Sequence, residues 1–158
     1  AFLSSHQMAI AQLALTSCSE RVEADRLLAI GDSTRLFSQV DFSESAQRAF
    51  DTALKRGYAI DPILNALLLS DLDSQPDRVE IAALLGADSA QTLTSSVASY
   101  GYDSLISQMS KCPIPGDPHY NADFPCDPAS DINTVERTAQ IVKAVCAAAV
   151  GSAAMLIQ

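Results

Sequence analysis

The stretch CPIPGDPHYNADFPC, residues 112–126, sets His119, Tyr120, Asp117, Asn121 and Asp123 between two cysteines, together with Pro113, Pro115, Pro118 and Pro125. Three chemistries fit these residue types. Cys112 and Cys126 each stand six intervening residues from His119, so two thiolates, one imidazole and the carboxylate of Asp117 or Asp123 would make four zinc ligands. The spacing matches no C-x2-C knuckle, and zinc thiolates conflict with an oxidising setting. The second chemistry is calcium, which takes several hard oxygens at once, from Asp117, Asn121, Asp123, Asp127 and Asp131. The third is a disulfide between Cys112 and Cys126. The prolines exclude a helix, Gly116-Asp117 favours a turn, and closing a loop of about 15 residues removes about 3 kcal/mol of unfolded-state entropy. The disulfide is the leading reading: no metal and no cofactor, with a stapled loop offering Asp117, His119, Tyr120 and Phe124 to a partner.

Two further cysteines, Cys18 and Cys146, fall on the apolar faces of long helical stretches. Four cysteines permit three connectivities. If 112 pairs with 126, then Cys18 and Cys146 are left to bridge should their helices be neighbours, or to remain buried thiols. Either bridge implies an oxidising compartment, and so an exported protein. A second acidic stretch, DLDSQPDRVE (71–80), is superficially similar to a calcium loop. Pro76 stands where the sharp-turn glycine belongs and Ala82 where the bidentate glutamate belongs, so its acids read as helix caps.

Catalysis has little to build on. His6 and His119 are the only histidines, and neither lies in a G-x-S-x-G, H-E-x-x-H or phosphate-loop setting. An enzyme would need scattered groups, His6 with Gln7 and Glu20, or a hydrolase using His119 with Asp123 and Tyr120. A bundle enclosing a small apolar ligand is the better alternative, with Met8, Phe50, Tyr100 and Tyr102 lining a groove.

The elements that must position these residues are helical. The chain has 158 residues, 48% hydrophobic and 18% charged, with a net charge of −9. That is one domain with a substantial core. The charge excludes nucleic acid as a main partner, and no apolar run is long enough for a transmembrane segment. The first residues lack a basic n-region, and the last stop in mid-periodicity, so the chain reads as a piece of a larger exported protein.

Helical spacing places Met8, Ala11, Leu15, Cys18 and Val22 on one face of a helix from Ser5 to Glu23. A short stretch, Asp25 to Ile30, ends at Gly31, and Leu36, Phe37, Val40 and Phe42 tuck inward from the connection that follows. Ser43 caps the next helix, with Ala46, Ala49, Phe50, Ala53 and Leu54 inward and Gly57 as its stop. Pro62 and Pro76 each open a helix, and Gly86 closes the second. A weaker segment begins at Asp88 or Ser89 and breaks near Gly101. Asn133 or Thr134 caps the longest helix, with Val135, Ala139, Val142, Cys146, Ala149, Ala153 and Leu156 or Ile157 inward. Its alanines permit close backbone approach, which makes it the central helix.

The end segments SSHQMAIAQLALTSC and VERTAQIVKAVCAAAVGSAAMLIQ resemble a helical segment of uncharacterised bacterial envelope proteins that also carry LamG-type modules. The resemblance covers a quarter to a third of the chain. It implies an exported helical unit within a larger surface protein and a pairing of Cys18 with Cys146, and it supplies no active site. The expectation is an all-α, irregular or orthogonal bundle of about six helices. Its expected role is a non-enzymatic structural or interaction module that meets a protein partner or neighbouring domains of its parent chain.

Overall fold

The structure is a computed structural model that describes residues 4–67, 78–86, 104–110, 112, 115, 122–123 and 125–156, with backbone alone for 4–5, 79–80 and 152–156. Among the described residues there are six α-helices and no strand. They are α1 (Ser4–Arg26), α2 (Ala46–Ala49), α3 (Ala53–Leu67), α4 (Arg78–Leu85), α5 (Leu105–Met109) and α6 (Val135–Leu156). A single wide turn, Pro128–Ile132, leads into α6. The expected irregular all-α bundle is the fold.

Helix α6 is central, packing against α1, α2, α3 and α5. Its buried side chains are Thr138, Ala139, Ile141, Val142, Val145, Cys146 and Ala149. Thr134 starts the helix, its hydroxyl accepting from the Arg137 amide at 3.1 Å and so satisfying an otherwise orphan N–H of the first turn. Helix α1 runs antiparallel to it: Cys18 is bonded to Cys146, Glu23 meets Lys143 and Arg26 meets Glu136. Phe37, Val40 and Phe42 enter the core from the connection after α1, with Leu36 half-buried against it.

Several boundaries differ from the periodic reading. The stretch Asp25 to Ile30 is not a separate helix: α1 continues to Arg26, and turns follow to Gly31, which adopts φ +82°. Ser43 does not cap a helix. Its amide and hydroxyl both donate to Asp41, and Ser45 holds the N-cap position of α2. The single helix read through 44–56 is two, because Phe50 is drawn fully into the core and Thr52 accepts from the Lys55 amide at 3.2 Å to begin α3. This rotates Leu54 outward, to 68% exposure.

Gly57 does not stop a helix, nor does Pro62 start one; both lie inside α3. Arg56, Ala59, Ile60, Ile63 and Leu64 are buried at helical spacing across the proline. Burial of that stripe outweighs the one backbone donor that proline removes. Gly86 does close α4, at φ +130°. The helix openings expected at Pro76 and at Asp88 or Ser89, the break near Gly101, and Ile157 lie outside the described residues.

Candidate interaction surface

The scaffold is fixed from inside by buried charge. Asp25, with no exposed surface, accepts from the Phe37 amide at 2.8 Å and the Leu36 amide at 3.3 Å, and pairs with Arg21 at 3.1 Å. Arg21 in turn donates to the Thr34 carbonyl. One carboxylate at the end of α1 thus fixes the connection that carries Phe37 and Val40 into the core. Arg35, also buried, donates to the Val40 carbonyl at 2.7 Å and lies 5.2 Å over the Phe42 ring. Arg56 donates from Nε to the Gly86 carbonyl at 2.7 Å and from Nη1 to the Phe50 carbonyl at 3.1 Å. It thereby ties the ends of α4 and α2 to α3.

Surface carboxylates are tuned by local donors. The Thr34 hydroxyl and amide hold Asp32 below the usual carboxylate range, and the Ser43 hydroxyl does the same for Asp41. Glu23 is lowered by its hydrogen bond from Lys143 and the nearby Arg26 charge. Burial pulls Lys55 down, but its bond to Glu44 and the charges of Asp51 and Glu44 outweigh this and raise it.

The residues singled out for chemistry fare unevenly. Cys112 and Cys126 are joined to each other, so neither is a zinc thiolate, and Cys18 and Cys146 form the second bridge. Asp117, His119, Tyr120, Asn121 and Phe124 lie outside the described residues. Of the calcium set, Asp127 accepts from the Ala129 amide and the Ser130 hydroxyl, while Asp131 accepts from the Asp127 amide and the Ser130 hydroxyl. Asp123 is exposed. Among the described residues, no three His, Cys, Asp or Glu side chains converge as a metal site.

His6 and Glu20 are separated by about 21 Å along α1, at 1.5 Å per residue, so they do not share a site. The groove of Met8, Phe50, Tyr100 and Tyr102 does not assemble as expected: Phe50 is wholly in the core and Met8 is 63% exposed. Tyr100 and Tyr102 lie outside the described residues. No helix of the described residues is long and apolar enough to cross a membrane.

Surface hydrophobics form the remaining feature. Met8, Ala11 and Leu15, expected inward, are exposed, and the buried line of α1 is instead Ala14, Cys18, Val22 and Asp25. In the first half of α1 the inward side is carried by Ala14, which is buried, and Ile10, which is half-buried. There His6, Gln7, Met8, Ala9, Ala11, Gln12 and Leu13 are all exposed. Leu13, at 68% exposure, and Leu15, at 54%, lie about 160° apart around the helix. The stretch from Ser4 to Ser19 holds no Asp, Glu, Lys or Arg. A second exposed apolar group, Leu27, Leu28 and Ile30, follows α1, and Val135 opens α6 half in solvent. The periodic reading put Val135 in the core. The signal missed in the sequence was Leu13, which falls off the Met8–Leu15 line and so marks the helix as apolar on two sides.

The fold and these surfaces define a disulfide-cross-linked helical module. No family model, curated protein or solved structure matches the chain.

Proposed function

We propose that this chain is a non-enzymatic interaction module of an exported bacterial protein, and that the exposed side of the first half of α1 is the surface it offers to a protein partner. The observation that supports this is the exposure of Met8, Leu13 and Leu15 on different sides of an uncharged helical stretch. Large apolar side chains exposed together on an uncharged helix surface mark a site of contact with another molecule. The occupant that fits is a protein groove with apolar walls that takes a helix. Glu20, exposed at the base of the stretch in a chain of net charge −9, favours cations at the groove's mouth. Two covalent cross-links suit a body that presents such a segment outside the cell.

The test compares the native chain with the triple variant Met8→Lys, Leu13→Lys, Leu15→Lys. A partner retained by the native chain is identified, purified and titrated against both forms. The expected result is a binding constant weakened at least a hundredfold in the variant, with its helical circular dichroism intact. Equal binding by both chains overturns the assignment.

A further inference from the structure

The outward side of α1 is complementary to itself. Ala14, Cys18, Val22 and Asp25 mark the buried line of the helix, and at about 100° per residue Ala9 and Thr16 lie opposite that line. Both are small and exposed. They floor a shallow groove walled by Leu13, about 50° to one side, and by Met8 with Leu15, about 100° to the other. All three wall residues are exposed. We infer that a second copy of this chain occupies the groove, the two α1 helices packing antiparallel about a twofold axis near Gln12. The inference rests on the reading of this surface as a docking site and names its occupant.

Charge selects both the occupant and its direction. Each copy carries −9, which repels a second copy over most of the surface. Ser4 to Ser19 holds no Asp, Glu, Lys or Arg, so two copies meet there without a like-charge pair. Glu20 is exposed at the end of the stretch, and α1 begins at Ser4 with no acid in its first turn. Residues equally far from Gln12 on either side face each other across the axis, so each Glu20 lies over the first turn of the other helix. The N–H groups of that turn have no acceptor within the helix and carry the positive end of its dipole, which favours a carboxylate. Parallel packing would instead set Glu20 beside Glu20.

The same twofold brings equal flanks together. Leu13 packs beside Leu13 of the second copy, and Met8 comes alongside Leu15. The overlap runs from Ser4 to Glu20, about 25 Å of helix. An interface of that length is small, so dimer and monomer exchange.

Analytical ultracentrifugation from micromolar to near-millimolar concentration tests the assignment, with circular dichroism confirming the fold of each variant. The mass of the native chain should rise toward twice that of one copy. Leu13→Lys removes two buried leucines and sets two cations at the axis, and should weaken association at least about tenfold. Glu20→Lys reduces the general repulsion, yet it should weaken association about threefold or more, because a cation then faces the helix N-terminus. Oxidised Leu13→Cys should link two copies through that position. A native chain that stays monomeric, tighter association of Glu20→Lys, or unchanged association of Leu13→Lys overturns the inference. A monomer that binds a different protein through Met8, Leu13 and Leu15 also overturns it and leaves the docking role of α1 standing.

Discussion

Replacing Asp25 with alanine tests the interior argument most directly. The carboxylate is wholly buried and serves three groups, the amides of Leu36 and Phe37 and the guanidinium of Arg21. Each amide left without its acceptor costs about 1 to 3 kcal/mol. Arg21 is 40% exposed, so water takes over much of its share and that term is discounted. The sum is a loss of about 4 kcal/mol, lowering the melting temperature of a chain this size by about 12 °C. Asp25→Asn should lose roughly half as much, because its remaining carbonyl oxygen can still accept from one amide. Denaturant unfolding with both disulfides intact gives the free energies, and hydrogen exchange at Leu36 and Phe37 locates the damage. A loss below about 1 kcal/mol, or exchange at those two amides no faster than in the native chain, would refute the claim that this carboxylate fixes the connection.

The other expectations concern covalent links, glycine and pH. Removing Cys18–Cys146, whose partners are 128 residues apart, should destabilise more than removing Cys112–Cys126, 14 apart. Chain entropy gives about 5 against about 3 kcal/mol, so a reversed order in denaturant midpoints would count against the described body. Gly57→Ala should stabilise by about 0.5 to 1 kcal/mol, since Gly57 is helical and the new Cβ meets only the movable Asp61 side chain at 3.2 Å. Gly86→Ala should destabilise by about 2 kcal/mol or more, because φ is +130° and the Cβ would lie 3.0 Å from that of Ile106. Glu23 and Asp41 have lowered folded-state values, so their stabilisation is present above the ordinary carboxylate range and disappears as pH falls through it and below. Lys143→Met should flatten that part of the stability–pH curve, and an unchanged curve would contradict the Glu23–Lys143 bond.

Much of the architecture was written in the residues themselves, because helix periodicity, caps and breakers act within a few positions. Thr134 before α6, Gly86 after α4 and the buried set Phe37, Val40 and Phe42 needed no tertiary knowledge. The alanine-rich face of α6 likewise announced a central helix, and the proline-dense segment 112–126 announced a staple. Distant parts of the chain settled the rest. Asp25 reads as an ordinary surface acid until Leu36 and Phe37 supply donors that make its burial tolerable. Pro62 and Gly57 read as boundaries until Ile60, Ile63 and Leu64 find α6 and carry the helix through them. Met8 and Leu15 lie within about 80° of Cys18 around the helix, yet only the packing of the rest of the chain decides that Ala14 is covered and that they are not. Local propensity acts over a turn or two, whereas burial depends on what the rest of the chain brings alongside.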